Sequence, residues 1–183
     1  MTLIELLIAL IVLAVGIMAT AAGFSSGILT VQRGAKTSTA GALADQQMEA
    51  YRRLSFGDIA TDTTLTTGED STYTGDAAYP GSSWRIMATC PVPNTAPYYY
   101  CTPTRTTSSG GASYRIDSYV TWACPISGST LGGTVSAPTC SAVSGVANRP
   151  VKQVTIVVRD ASTSTPSLRT LVRVTSTFDE STS

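Results

Sequence analysis

The chain has no histidine at all. That removes the side chain most often used as a general base near neutral pH, and the commonest zinc ligand with it. Charge is scarce too: Asp, Glu, Lys and Arg together make up 13% of the 183 residues, and the formal net charge is zero. Such a chain lacks the basic excess that draws a protein onto nucleic acid, so no nucleic-acid partner is expected. There is no C-x-x-C pair; Cys90, Cys101, Cys124 and Cys140 are separated by 10, 22 and 15 residues. That spacing does not suit a zinc site, and neither a metal nor a cofactor is expected. No proline occurs before Pro80, so nothing up to that point forces a helix to stop. From Leu6 to Gln32 there is not one charged residue.

What fills that uncharged stretch is aliphatic. Leu3 to Leu13 is interrupted only by Glu5, and a run of more than about 18 apolar residues reads as membrane-spanning. A secretory signal would open on Lys or Arg and close on a small-residue cleavage site. Here no cation precedes the run, and a helical pattern continues well past it. The first cations, Arg33 and Lys36, follow the span, which by the positive-inside rule would leave the rest of the chain in the cytoplasm. Four cysteines and a Ser/Thr-rich body argue for the opposite compartment. Both observations agree if a short basic leader has been removed, so Met1 is expected to be a processed terminus.

Residues 1–56 are expected to form one helix roughly 80 Å long at 1.5 Å per residue. Its first part, 1–24, reads as the membrane or filament-core half, and 25–56 as an amphipathic half. Phe24, Ile28, Val31, Ala35 and Ala42 fall on one face, with Leu43, Ala50 and Leu54 on an adjoining one, while Arg33, Lys36 and Thr37 lie away from the first stripe. Residues 57–183 are expected to form a globular head. It begins with an acidic linker, 57–82, containing Asp58, Asp62, Glu69, Asp70 and Asp76 and no base. These carboxylates lack EF-hand spacing and read as a solvated loop. A β-meander over 83–178 follows, with strand-like runs at 84–89, 114–123, 151–159 and 168–178. Val154, Ile156 and Val158 alternate as a half-buried strand does. The expected class is α+β, a long N-terminal helix packed on a four-stranded antiparallel sheet.

The opening Met1-Thr2-Leu3-Ile4-Glu5-Leu6-Leu7-Ile8-Ala9-Leu10 resembles the mature N-terminus of type IV pilins and of the pseudopilins of type II secretion. Members usually begin Phe-Thr-Leu-Ile-Glu, with Met accepted at the first position. The likeness is specific over about 25 residues and extends loosely through Asp45-Gln46-Gln47-Met48-Glu49, Arg52 and Leu54. It implies a pilin-like fold and a prepilin peptidase that removes the leader and N-methylates Met1. It also implies pairing of Glu5 with the N-terminal amine of a neighbouring subunit. A lone carboxylate in an apolar helix is costly without a partner, which gives that pairing a physical reason; proximity to the positive helix end alone explains why Glu5 is tolerated but not why it is there.

Further residues gain meaning in that frame. Gly16, Gly23, Gly27, Gly34 and Gly41 fall within about 40° of one another around a helix. They read as a helix-packing stripe that lets backbones approach closely; alternatively Gly16 and Gly23 soften the helix so that it stretches on assembly, as in some pilins. If the 84–89 run pairs antiparallel with 114–123, Cys90 and Cys124 lie at opposite ends, so the disulfides are expected to be Cys90–Cys101 and Cys124–Cys140. Tyr98-Tyr99-Tyr100 reads as loop packing or an interface. Gly23-Phe24-Ser25-Ser26-Gly27 matches a nucleophile elbow in letters only, since it lies inside a helix without any histidine to complete a triad. No enzyme is expected. The reading is a structural subunit of an extracellular type IV pilus-like filament, a self-assembled helical homopolymer on the cell surface. It would be anchored in the cytoplasmic membrane before assembly and handled by the pilus assembly machinery. The competing reading is a minor pilin or pseudopilin that primes or binds. The all-acidic 58–76 segment set against Arg149, Lys152, Arg159, Arg169 and Arg173 leans towards self-complementary, head-to-tail stacking.

Overall fold

The computed structural model describes residues 2–62, 69–81, 84–88, 101–145, 148–162 and 169–180. The chain divides into two compact units, Met1–Ser38 and Thr39–Ser183. The first is helical from Leu3 onward. Helix α1 spans Leu3–Arg52, ending four residues earlier than the sequence suggested, and its last residues belong to the second unit. Hydroxyl side chains, ordinarily weak helix formers, are turned back onto the helix: Thr20 donates to Ile17 O at 2.9 Å, Ser25 to Ala21 O at 3.0 Å, Ser26 to Gly23 O at 3.0 Å and Thr30 to Ser26 O at 3.0 Å. Each hydroxyl is thereby satisfied within its own segment, the condition a membrane imposes on polar groups.

The second unit is built on an antiparallel sheet in the order β3 (Thr104–Ser109), β4 (Ala112–Ala123), β7 (Val151–Asp160) and β8 (Thr170–Phe178). The β3–β4 hairpin closes on Gly110 and Gly111, at φ 58° and 75°, with Ser109 opposite Ala112. Two consecutive positive φ values are what a two-residue type I′ turn requires, and glycine adopts them at no steric cost. One face of the sheet packs against the end of α1. Ala40, Ala44, Met48 and Tyr51, spaced one turn apart, are buried with Ile116, Val120, Val154, Ile156 and Val158. The other face is covered by a short segment carrying α2 (Ser71–Thr74), which brings Tyr73 against Tyr119 and Val157. Strands β4 and β7 are therefore buried on both faces. The half-buried alternation expected in β7 is corrected accordingly: Val157, on the alternate face, is as fully buried as Val154, Ile156 and Val158.

Other expectations are also corrected. The 84–89 run does not form the first strand of the sheet. Its described residues contribute β2 (Met87–Ala88), which pairs in parallel with β1 (Thr61–Asp62), and meet β4 at a bridge between Arg85 and Thr121. The edge position belongs to β3, a Thr/Arg/Ser strand with no apolar residue. Between Cys124 and Cys140, β5 (Leu131–Thr134) and β6 (Ala137–Cys140) form a hairpin. The 57–82 segment is not simply a solvated linker, since Asp62 and Tyr73 are buried within it. The helix face turned to the sheet is set by Ala40, Ala44, Gln47, Met48 and Tyr51. Of the residues expected there, Leu43 and Leu54 pack partly against the core, whereas Phe24, Ile28, Val31, Ala35 and Ala42 are exposed.

Candidate functional site

Helix α1 is long and apolar enough to cross a membrane by length and composition. Its large side chains are bare: Leu3 is 84% exposed, Phe24 77% and Val31 72%. A continuous apolar surface of this length is not stable in water and calls for lipid or protein cover. Glu5 is the sole ionisable side chain between Thr2 and Gln32. Its Oε2 accepts from the Thr2 backbone N–H at 3.4 Å, and the Thr2 carbonyl accepts from the Glu5 and Leu6 amides. This is half of a capping box, T-x-x-E, a local role for Glu5 that the sequence reading passed over. Met1, its expected companion in assembly, lies outside the described residues.

Gly16, Gly23, Gly27, Gly34 and Gly41 all lie in α1, and among the described residues a Cβ added at any of them would meet nothing within 4 Å beyond the helix's own backbone. Gly23 and Gly27 floor a shallow hollow bordered by Thr20, Phe24, Ile28 and Val31. The elbow-like letters 23–27 sit in this same helix, with the Ser25 hydroxyl donating to Ala21 O, an orientation unlike that of an activated nucleophile.

In the head, charges meet across the sheet face under α2. Asp117, fully buried, accepts from Arg115 Nε at 2.7 Å and from Arg159 Nε at 2.9 Å. Arg115 continues to Asp70, with Nη2 at 2.8 Å from Oδ1. Arg159 continues to Asp76, which also accepts from Arg173 Nη2 at 2.8 Å. Arg85 pairs with Glu69. The Arg115 hydrogen bond, helped by the Tyr73 and Thr72 amides and opposed by partial burial, holds the Asp70 carboxyl down at about 2. Burial works to raise Asp76, but the Ala78 amide and the Arg173 and Arg159 guanidiniums outweigh it and the net direction is down. Beside this network Tyr73 stacks on Tyr119 with centroids 4.4 Å apart, and burial pushes both phenols up.

Lys152 is buried on the opposite face, where Nζ donates to Phe56 O at 2.6 Å, Ile59 O at 2.9 Å and Gly57 O at 3.2 Å. Burial lowers its pKa. The acidic and basic segments that suggested head-to-tail stacking are thus joined within one chain at Asp76, which pairs with Arg159 and Arg173, while Asp70 pairs with Arg115 of β4 and Lys152 is spent on backbone.

Cys124 and Cys140 form a disulfide. Cys101 is buried and disulfide-bonded, while Cys90 and the Tyr98–Tyr100 run lie outside the described residues. Among the described residues no group of His, Cys, Asp or Glu is arranged to hold a metal ion. No protein-family model matches the chain, and no curated protein or solved structure matches it either.

Proposed function

We propose that this chain is a structural subunit of an extracellular type IV pilus-like filament, without catalytic activity. The observation that carries the reading is the apolar helix with a single carboxylate at its start, in the sequence Thr2-Leu3-Ile4-Glu5. Before assembly the helix holds the subunit in the cytoplasmic membrane with the head outside the cytoplasm. On assembly it exchanges lipid for the helices of other copies, and Glu5 gains the N-terminal amine of a neighbour. A repeated contact of this kind, with a rise and a rotation, gives an open helical polymer. Prepilin peptidase and the assembly machinery are the further partners of this reading.

Replacing Glu5 with Ala tests it. The substitution makes membrane insertion easier, so protein is expected to accumulate in the membrane while sheared filaments vanish or become sparse. Filament yield equal to that of the unaltered chain would refute the role of Glu5.

The second reading, a minor pilin or pseudopilin, gains from the intrachain pairing of Asp76 with Arg159 and Arg173. A principal subunit needs surfaces complementary to its own copies, and this pairing withdraws one charge-based source of such complementarity. Quantitative mass spectrometry of purified filaments separates the two: a principal subunit is the dominant band, a minor one a trace beside another pilin.

A further inference from the structure

A cleft opens in the head beside the short 3-10 turn Phe56–Asp58. Its apolar lining comes from Phe56, Trp122, Pro138 and Pro150, all half-buried. Polar lining comes from Arg149, Asp179 and Glu180, of which Arg149 and Glu180 are exposed. Trp122 has one polar side-chain atom, and this Nε1 already donates to Val135 O at 2.8 Å. What the indole can offer a visitor is ring surface alone. Phe56 leans on it with centroids 6.0 Å apart and planes at 59°. Lys152 Nζ lies 4.8 Å from the Phe56 centroid and 5.6 Å from that of Trp122, but its three protons go to three backbone carbonyls. None is left for a ligand.

The cleft therefore asks for a partner with a flat C–H face to lie on aromatic and proline carbons, and with groups that both donate and accept around its edge. The guanidinium supplies donors, and each carboxylate has acceptor capacity for more than one bond. A phosphate-bearing ligand would bring its negative charge beside the Asp179 and Glu180 carboxylates. An acyl chain would leave that charged lining poorly solvated. A proline-rich peptide would find no free indole N–H for its carbonyls. A pyranose ring meets every requirement. We infer that this cleft binds a neutral sugar unit, stacked on Trp122 and held at its hydroxyls by Arg149, Asp179 and Glu180.

The full chain, labelled with 15N at its indoles and held in a sugar-free detergent, is titrated with the methyl glycosides of glucose, galactose, mannose and N-acetylglucosamine. The resonances are assigned with Trp84→Phe. At least one glycoside is expected to shift the Trp122 indole saturably, with a Kd on the order of 1 mM, and to leave Trp84 unmoved. Arg149→Ala and Glu180→Gln, both at exposed positions, are expected to weaken binding about tenfold with an unchanged circular dichroism spectrum. The proposal is overturned if no glycoside moves the Trp122 signal, if both variants bind like the unaltered chain, or if a proline-rich peptide moves it and the sugars do not.

Discussion

Asp117 holds two guanidiniums inside the head, one at each carboxylate oxygen. Removing one member of a buried charge cluster leaves the others without compensation, which costs more than the pair contributes when intact. Asp117→Ala is expected to destabilise the chain by about 3 kcal/mol, read as a lower urea midpoint in micelles; Asp70 and Asp76 still pair with Arg115 and Arg159, which keeps the loss at the lower end of the range. Asp70 is the cluster's half-exposed end. Its folded pKa of about 2 lies below the ordinary carboxyl value of 3.8, so its contribution is complete above about pH 4 and disappears as pH falls through about 2. Solvent screening at this site limits that contribution to under about 1 kcal/mol. Asp70→Asn keeps an acceptor for the Thr72 and Tyr73 amides while removing the charge. Its urea midpoint is expected to fall less steeply between pH 4 and pH 2 than that of the unaltered chain; identical slopes would show that Asp70 is not a source of the acid sensitivity.

Among the described residues, nothing outside the helix's own backbone lies within 4 Å of a Cβ added at the glycines of α1. Leu at Gly27 should therefore leave the single subunit folded, and even favour the helix by roughly 1 kcal/mol. Its cost should appear only where another backbone approaches. Filament yield is expected to drop with Gly27→Leu and to survive Thr37→Leu; equal yields would remove the glycine stripe from the account of packing. Much of this element was legible in the sequence, because an uncharged, proline-free aliphatic run has few alternatives. Strands β4, β7 and β8 were legible for a similar reason, through their β-branched and aromatic residues. Strand β3 was not: Thr-Arg-Thr-Thr-Ser-Ser has no apolar face, and its signal was the Gly110-Gly111 turn beside it. The buried face of α1 was misplaced because bulk drew attention to Phe24 and Ile28, while close helix-to-sheet packing uses the small Ala40 and Ala44. The ion network was hidden for another reason. Arg159 and Asp117 are 42 residues apart in sequence, and Arg173 and Asp76 are 97 apart, so only the folded sheet brings them together.

At the scale of the whole head, the β5–β6 hairpin is a two-stranded sheet of its own, a structure that is marginal in isolation. It is tied back by the Cys124–Cys140 disulfide and by the Trp122 indole bonded to Val135 O. The disulfide closes a sequence separation of 16, for which loop-closure entropy gives about 3 kcal/mol. Cys124→Ser combined with Cys140→Ser is expected to lower the urea midpoint by a comparable amount; an unchanged midpoint would mean that the indole bond and local packing hold the hairpin without the bridge.

The serine and threonine hydroxyls folded back onto α1 have a consequence for how such a segment changes surroundings. A helix that hydrogen-bonds to its environment must break those bonds before it can leave, and each broken bond adds to the height of the barrier. Thr20, Ser25, Ser26 and Thr30 carry their acceptors with them. Passage from a fluid of acyl chains to a tight protein bundle then requires no exchange of partners along the middle of the helix. In the proposed filament the exception stands at its beginning, where Glu5 would gain the N-terminal amine of another copy. If the proposed assembly holds, such a segment would slide freely along most of its length and lock at one end, so that the stopping point of its travel would be set by chemistry at a single residue.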